Sequence, residues 1–461
     1  MTDVVTALTP SHDAAIAASL ELARGSRVVR RCADVAELVS VANAGIGHCA
    51  VVSADLRGLD LSLVGQLRAS GLTVVGVHEP GDEPSERRLR QLSISLSIPL
   101  DAGPDDVQRL IGDTAPRPAG PPAESLVAGR GVEARPDEGE WLTSVPDRGV
   151  DLPSGRESDG ATAGASGPQE HRAEARGRVI AVWGPLGSPG RTTIAVNLAA
   201  ELAGRGSRVL LVDADTYGGC VAQTLGLLDE APGLAAAARA ADHGTLDLAA
   251  LARLAPEALP RLRVLTGIPR PDRWPEISAP ALGRVLELGR SLAAAVVVDC
   301  GFCLEDDEEL SYDTQAPRRN AATLTTLAAA DDVLAIGAAD AVSLQRFVRG
   351  LQQLGTVSSP APVPVVNRVR ASSVGVRPDE RVREVLARFA GLATLRLVPE
   401  DREAVDAALL AGRSVVEHAP HSPFAQAVAD LASVLLPRSD GRSVSRAGRR
   451  RSPRARHAVR A

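Results

Sequence analysis

A glycine-rich turn lies between an apolar run and a helical pattern in the segment from residue 179 to residue 202. The run covers residues 179–183, the turn reads GPLGSPGRTT over residues 184–193, and residues 194–202 carry apolar side chains at helical spacing. Such a turn between a strand and a helix brings unpaired backbone N–H groups and the positive end of the helix dipole to one point. The segment therefore predicts a strand–turn–helix unit with an anion-binding site.

Short strand-like runs, most of them apolar on both faces, recur over the residues that follow. Side chains in such runs pack against helices on either side of a sheet, so the pattern is typical of buried parallel strands. The runs lie at residues 209–212, 264–265, 296–298, 333–336, 363–366 and 394–398. The sequence therefore predicts a C-terminal α/β domain over residues 177–436 with a mostly parallel sheet.

Residues 1–113 alternate strand-like and helix-like segments on a smaller scale. Five such strand–helix units predict a small doubly wound sheet, and the layout resembles a response-regulator receiver domain, which has a flavodoxin-like fold. Asp55 follows the third strand, where receivers carry the aspartate that accepts a phosphoryl group. Thr9 and Pro10 replace the paired acids of receivers and Ile98 replaces their lysine, so phosphoryl transfer to Asp55 would lack charge neutralisation. The sequence thus predicts a pseudo-receiver domain.

Two segments contain too few large apolar residues to form a core. Residues 114–176 are rich in Pro, Gly, Ala, Glu and Arg, which predicts a disordered linker. Residues 437–461 carry nine Arg and one Asp, which predicts a basic disordered tail although the whole chain has a net charge of −6. A tail of this charge suits non-specific, salt-sensitive contacts with nucleic acid or anionic lipid.

The sequence also indicates a cellular compartment. No apolar run approaches the roughly 18 residues that a membrane span needs, and the N-terminus lacks the basic-then-apolar pattern of a secretion signal. The five cysteines are scattered along the chain, which suits a reducing compartment. We therefore expect a cytoplasmic protein.

The glycine-rich turn is a divergent form of the Walker A motif, whose usual ending is Gly-Lys-Ser/Thr. The ending here is Gly190, Arg191 and Thr192, in a chain that has no lysine and 51 arginines. Arginine keeps the charge and can bind phosphate through two N–H groups, although it is bulkier than lysine. Pro189 has no N–H, which removes one donor from the phosphate cradle.

Carboxylates follow two of the later apolar runs. Asp213 and Asp215 come after the run at 209–212, and Asp299 directly follows the run at 296–298, as in a Walker B motif. Carboxylates at these strand ends can hold Mg²⁺ and orient a water molecule for phosphoryl transfer. Together with the glycine-rich turn, their order and spacing indicate a nucleotide site.

The turn and these carboxylates resemble the MinD/ParA superfamily of deviant-Walker P-loop ATPases, over residues 177–436. The resemblance implies ATP and Mg²⁺ as cofactors, with Thr192, Asp213 and Asp299 at the metal and Asp215 orienting the hydrolytic water. The residues that it implies for binding the nucleotide are Gly187, Ser188, Gly190, Arg191, Thr192, Thr193, Asn367 and Pro399.

The chain departs from this superfamily at Leu186. Members carry a lysine there that reaches across a nucleotide-sandwich dimer to the partner's phosphates, and leucine has no charge with which to make that contact. A comparable cation, the arginine finger, contributes ~10³–10⁵-fold to the rate of phosphoryl transfer. The sequence therefore predicts that ATP is bound but is hydrolysed weakly or not at all.

The combination of a receiver-like domain, a linker and a degenerate MinD/ParA domain resembles the CpaE/TadZ-type localisation factors of pilus and secretion machinery. Residues 306–320 resemble the septum-site-determining proteins of actinobacteria in particular. These likenesses imply a spatial regulator that binds proteins of the division, pilus or secretion machinery and is recruited to the membrane, cell pole or septum, with a homodimer among the expected assemblies. The alternative is an active ParA-like ATPase that cycles on DNA or membrane in chromosome partitioning or division-site selection. A nucleoid adaptor that acts through the basic tail is a third interpretation.

Three cysteines fall near the predicted site. Cys300 and Cys303 form a CxxC pair directly after Asp299, and Cys220 follows Asp215. Such thiols either fill space as small apolar groups or form a redox or metal-binding cluster. The sequence leaves both interpretations open.

Overall fold

The structure is a computed structural model that describes residues 1–112, 176–227, 232–306 and 317–436. The predicted basic tail (437–461) and nearly all of the predicted linker (114–176) lie outside the described residues. The same holds for most of the segment 306–320 that resembles the actinobacterial proteins. The described ranges belong to one compact unit.

The N-terminal part is a five-stranded parallel sheet with helices between its strands. Its elements are β1 (Thr2–Ala7), α1 (Pro10–Leu22), β2 (Ser26–Arg31), α2 (Val35–Asn43), β3 (Cys49–Ser53), α3 (Leu61–Ala69), β4 (Thr73–His78), α4 (Glu83–Gln91), β5 (Leu96–Pro99) and α5 (Pro104–Gly112). Asp34 and Asp60 cap the N-termini of α2 and α3. The side chain of each accepts a hydrogen bond from the backbone N–H of the residue three positions later. The strand order β2-β1-β3-β4-β5 is that of flavodoxin-like doubly wound sheets.

The C-terminal part is an eight-stranded sheet. Its strands are β6 (Arg178–Trp183), β7 (Val209–Ala214), β8 (Glu257–Leu259), β9 (Leu262–Leu265), β10 (Ala295–Cys300), β11 (Asp332–Ala338), β12 (Pro362–Val369) and β13 (Arg396–Pro399). They lie in the order β13-β12-β11-β6-β10-β7-β9-β8, and each pair is parallel except β8 with β9 at the edge. The α/β class and the mostly parallel sheet predicted from the sequence are confirmed.

Helices cover both faces of this sheet. They are α6 (Arg191–Gly204), α7 (Val221–Thr224), α8 (Gly233–Asp242), α9 (Leu248–Leu254), α10 (Ala279–Leu292), α11 (Ala321–Ala329), α12 (Ala341–Leu354), α13 (Ala371–Val374), α14 (Pro378–Ala390), α15 (Arg402–Leu410), α16 (Val415–His418) and α17 (Pro423–Leu435). In β6, Ile180 and Val182 pack with α6 and α17, whereas Ala181 and Trp183 pack in the layer that contains α8, α10 and α12. Both faces of the strand are therefore buried, which explains why its apolar run does not alternate. Among the described helices, none is long and apolar enough to cross a membrane.

The N-terminal sheet packs against the C-terminal sheet through its helices. Helix α3 contacts α8 and α10, and Leu92 lies so close to Gly244 that a Cβ on this glycine would be 2.8 Å from Leu92 Cγ. Arg88 of α4 donates hydrogen bonds from Nε to His243 O at 3.1 Å and from Nη2 to Leu59 O at 3.0 Å. One arginine therefore ties a loop of the N-terminal sheet to the end of α8.

Replacing Arg88 with alanine should lower the free energy of unfolding by about 1–3 kcal/mol, because three carbonyl oxygens, those of His243, Leu59 and Ala54, lose a charged donor. Chemical denaturation of the full chain measures the loss, and hydrogen exchange should become faster at the end of α8. The neighbouring Arg87 is exposed, so Arg87→Ala is the matched control and should unfold like the wild type. Equal losses in the two variants would contradict the assigned contact.

Candidate functional site

The carboxyl ends of β6, β7 and β10 meet at the centre of the C-terminal sheet. The parallel register places Asp299 of β10 beside Asp213 of β7 and beside Val182 of β6, just before the glycine-rich turn. Open α/β sheets bind ligands beyond this edge, outside the ends of their strands. The topology therefore brings together three predicted elements that are far apart in the sequence.

The glycine-rich turn has a left-handed backbone at three positions. The φ angles are 120° at Gly187, 52° at Ser188 and 98° at Gly190, in a region that glycine adopts at least cost. Gly190 also lies against Asn367, and a Cβ on this glycine would clash with the asparagine Nδ2. Helix α6 begins at Arg191, so its unpaired first N–H groups lie at the end of the turn. This backbone has the form of an anion cradle.

Arg191 is folded back onto the protein at the start of α6. Its Nη2 donates to Asp215 Oδ2 at 3.0 Å and its Nη1 donates to Gly184 O at 2.9 Å. Its Nε is buried and has no hydrogen-bond partner among the described residues. The side chains of Arg191 and Asp215 are only 12% and 6% exposed. The predicted phosphate-binding cation and the predicted water-orienting carboxylate thus form a buried ion pair with each other.

The predicted Mg²⁺ ligands lie together beside this ion pair. Thr192 Oγ1 donates to Asp299 Oδ2 at 2.6 Å, while Asp299 Oδ1 is buried without a hydrogen-bond partner in the described part of the chain. Asp213 accepts the backbone N–H groups of Asp215 and Val221 at 3.3 and 3.1 Å. Burial raises the pKa of Asp213 to about 7, and burial together with the charge of Asp213 raises the pKa of Asp299 well above its usual range.

A divalent cation fits this arrangement. It would meet the unpartnered oxygen of Asp299 and would neutralise carboxylates whose charge is disfavoured by burial. Within residues 1–112, 176–227, 232–306 and 317–436, no group of three or more His, Cys, Asp or Glu side chains is arranged to hold a metal. Sparse protein ligation is usual for Mg²⁺, which is bound through one or two carboxylates together with phosphate oxygens and water.

Thr193, Asn367 and Pro399 line a cleft of about 350 Å³ next to the end of the turn. Asn367 Nδ2 donates to Pro189 O at 3.0 Å, and Asn367 Oδ1 accepts from the backbone N–H of Arg368 at 2.9 Å. The asparagine therefore holds the glycine-rich turn and lines the cleft at the same time. The structure brings these three predicted nucleotide-binding residues together, in a space that could take the base.

Sequence reasoning missed an aromatic cluster that joins the loops after β7 and β10. Tyr217 and Phe302 pack with their rings tilted by 43° and their centroids 4.7 Å apart, and Trp183 Nε1 donates to Phe302 O at 3.2 Å. The guanidinium of Arg319 lies 3.8 Å from the Tyr217 ring centroid and 5.4 Å from that of Trp274, within the range of a cation–π contact. The sequence signal that could have indicated this cluster is the scarcity of aromatic residues. The chain has only four Phe, three Trp and two Tyr, and four of these residues lie here.

The three cysteines near the site have different surroundings. Cys220 Sγ lies 3.7 Å from Thr192 Oγ1, and Cys303 Sγ accepts a hydrogen bond from Asn320 Nδ2 at 3.3 Å. Cys300 is fully buried. Burial raises the pKa of the Cys220 and Cys300 thiols, which favours the neutral form that suits packing over a reactive thiolate.

Asp55 lies after β3 beside Thr9 and His12. Thr9 Oγ1 donates to Asp55 Oδ1 at 3.2 Å, and His12 Nδ1 lies 3.4 Å from the same oxygen. On the other side of the imidazole ring, His12 Nε2 lies 3.7 Å from Glu79 Oε1. A buried histidine therefore stands between the two carboxylates. The pseudo-receiver interpretation of this sheet stays a prediction.

Two curated proteins share a short stretch with this chain. Both are named chromosome partitioning protein ParA and come from Caulobacter vibrioides, one from strain NA1000 / CB15N and one from strain ATCC 19089 / CIP 103742 / CB 15. Each is 51% identical over 43 residues, which is 9% of this chain and 16% of the relative. The chain therefore spans about a sixth of the length of the curated relatives that it matches.

Several solved structures are similar to this chain at low sequence identity. The ParA family ATPase from Chlorobium tepidum TLS is 19% identical with a TM-score of 0.47, covering 55% of this chain and 98% of that chain. The cell division ATPase MinD from Pyrococcus furiosus is 21% identical with a TM-score of 0.45, covering 56% and 98%. The septum site-determining protein MinD complexed with Mg-ADP, from Pyrococcus horikoshii OT3, is 19% identical with a TM-score of 0.44, covering 56% and 95%.

The family assignment rests on a match to a family model. The model of the CobQ/CobB/MinD/ParA nucleotide binding domain matches residues 180–413, from β6 to the residues just after α15. This range contains the glycine-rich turn, the three aspartates and Asn367, and it covers slightly more than half of the chain. The chain belongs to the CobQ/CobB/MinD/ParA nucleotide-binding domain family.

Proposed function

We propose that the chain is a nucleotide-binding spatial regulator of the MinD/ParA type, which binds ATP with Mg²⁺ and hydrolyses ATP weakly or not at all. The observation that carries this proposal is the buried ion pair between Arg191 and Asp215. Arg191 is the cation expected to bind the phosphates, and Asp215 is the carboxylate expected to orient the hydrolytic water. In this pair the two side chains bind each other. Neither group is available for phosphoryl transfer in this state.

The remaining residues of the site suit the parts of a nucleotide. The N–H groups of the turn and of the start of α6 suit the phosphates, and Thr192, Asp213 and Asp299 suit Mg²⁺. The cleft lined by Asn367 and Pro399 suits the base. Bound Mg²⁺ would supply neutralisation of the phosphate charge. Arg191 can turn to the phosphates only after it leaves Asp215, so ATP binding competes with the ion pair.

Leu186 supports the proposal of weak hydrolysis. Its side chain is 59% exposed beside the turn. An apolar side chain therefore stands at the position where the MinD/ParA resemblance places a lysine that contacts phosphate. Charge that develops in the transition state is less well neutralised without that cation.

Leu186→Lys should raise the rate of ATP hydrolysis roughly tenfold or more, because the exposed position accepts the longer side chain and the new cation neutralises phosphate charge. The test is the rate of phosphate release from ATP by the full chain with Mg²⁺. ATP binding by the wild type is measured directly in parallel. Leu410 is 91% exposed, so Leu410→Lys is a matched control that should leave turnover unchanged.

Two results would count against the proposal. A wild type that binds no nucleotide would refute it. A wild type that already hydrolyses ATP as fast as Leu186→Lys, and that loses this activity in Asp215→Ala, would instead favour an active ATPase.

The cellular role that we propose is the positioning of division, pilus or secretion machinery, as in the CpaE/TadZ-type and actinobacterial septum-site-determining proteins that the sequence resembles. The N-terminal pseudo-receiver and the linker are proposed to recruit protein partners of that machinery. Fluorescently tagged full chain should form foci at the pole or septum of the native cell, and a uniform distribution would contradict this role.

An active ParA-like ATPase that cycles on DNA or membrane is the second candidate. Two observations favour it: the 51% identity over 43 residues with chromosome partitioning protein ParA, and the nine arginines of residues 437–461. This candidate requires retention on DNA or on anionic vesicles at physiological salt that disappears when residues 437–461 are removed.

A further inference from the structure

Helix α12 packs closely against the glycine-rich turn because Gly350 has no side chain. A Cβ on Gly350 would lie 3.1 Å from Trp183 Cη2 and 3.2 Å from Pro185 Cβ, so a larger residue would fit only if these side chains moved away. Arg346 lies one helical turn earlier, on the same face of α12 as Gly350. The close packing at Gly350 therefore brings Arg346 to the turn.

The guanidinium of Arg346 lies over Gly187. A Cβ on Gly187 would be 2.7 Å from Arg346 Nη1 and 3.9 Å from Arg346 Cδ, so the absence of a side chain makes space for the arginine. Arg346 and Leu186 line the same cleft, which has a volume of about 510 Å³. Arg346 is remote from the turn in the sequence but places a positive charge beside it. Leu186, in the same cleft, has no charge.

Arg346 carries a charge that has no ion-pair partner among the described residues, although Glu305 lines the same cleft. Arg346 is exposed, and within the part of the chain that the structure describes it makes no hydrogen bond or ion pair. Arg191, in contrast, is neutralised by Asp215. A guanidinium without a partner can bind two oxygens of one phosphate through charge-assisted hydrogen bonds. Of these two arginines, Arg346 is therefore the one that can receive an anion without first breaking an ion pair.

The contacts of the turn set the direction in which a nucleotide would lie. Gly190, at the end of the turn, lies against Asn367 of the base cleft, whereas Gly187, near its beginning, lies against Arg346. A nucleotide with its base beside Asn367 would direct its phosphates along the turn toward Arg346. We propose that Arg346 binds the terminal phosphate of a nucleoside triphosphate and makes the site select triphosphates over diphosphates. This inference rests on the proposed function, since it assumes that the turn binds a nucleotide.

Binding of ATP and of ADP to the full chain, each with Mg²⁺, tests the proposal. Arg346→Ala should weaken ATP binding about tenfold or more, because the loss of even one charge-assisted hydrogen bond corresponds to about tenfold, and should leave ADP binding unchanged. Arg346→Lys should keep part of the preference for ATP. Arg349 is an exposed arginine on the same helix that lines the same cleft, so Arg349→Ala controls for the loss of one positive charge. Thermal unfolding of each variant should match the wild type because both side chains are exposed.

A second variant tests whether the charge itself is what matters. Leu186→Lys added to Arg346→Ala should restore the preference for ATP, because it returns a cation to the same cleft. If Arg346→Ala weakens the binding of ATP and of ADP equally, the role of Arg346 is overturned and the proposed function stays intact. The same holds if the variant weakens the binding of neither nucleotide while the wild type binds both. A wild type that binds neither nucleotide would overturn both.

Discussion

Asp215→Asn should bind ATP about tenfold or more tightly than the wild type does. In the wild type, ATP must separate Arg191 from a buried carboxylate at 3.0 Å, and breaking such a pair costs about 3–5 kcal/mol. The asparagine removes the opposing charge but keeps the oxygen that accepts the backbone N–H groups of Tyr217 and Gly218. Recovery of only a third of that cost corresponds to about a tenfold gain in affinity. Isothermal titration calorimetry with ATP and Mg²⁺ measures the change.

A second buried ion pair, at the C-terminal end of α6, provides the control. Glu201 Oε1 accepts from Arg205 Nε at 2.6 Å, and both side chains are largely buried. Glu201→Gln should lower the stability of the protein without changing its affinity for ATP, because this pair does not touch the turn. An Asp215→Asn variant that binds ATP no better than the wild type would contradict the competition between ATP and the ion pair.

Arg191→Ala should weaken ATP binding about a hundredfold or more. This effect is opposite in direction to that of Asp215→Asn and larger. The substitution removes the predicted phosphate cation and leaves Asp215 buried without its partner. The unpaired carboxylate should also lower the free energy of unfolding by about 3 kcal/mol. Chemical denaturation and ATP titration of the same preparation give the two quantities.

The double variant Arg191→Ala/Asp215→Ala separates the two roles of the arginine. Removing both charges abolishes the unpaired carboxylate, so part of the lost stability should return, with a coupling of roughly 0.5–3 kcal/mol between the two sites. ATP binding should not return, because the phosphate cation is still missing. Strictly additive losses of stability would mean that the Arg191–Asp215 contact is not formed in solution.

Patterns of apolar residues were sufficient to predict the α/β class and the mostly parallel sheet. The runs at 209–212 and 296–298 are apolar at every position, and a strand buries all of its side chains only when helices cover both faces of its sheet. Gly187 and Gly190 indicated the turn for an equally local reason, since their left-handed backbone is costly for other residues. The family was also predicted, and the match over residues 180–413 confirms it. The receiver-like and CpaE-like interpretations stay predictions.

The sequence by itself determined the sheet, the turn, and Arg191 with the three aspartates at the site, because each depends on residue type and short-range spacing. Only the tertiary structure decided which charges pair. Arg191 can reach a phosphate or a carboxylate, and its pairing with Asp215 depends on the end of β7 lying beside the start of α6. Arg346 lies against Gly187 because α12 packs on the turn, where Gly350 contacts Trp183 and Pro185 closely. Electrostatic contacts depend on separations of a few ångströms, and packing between elements remote in the sequence sets those separations.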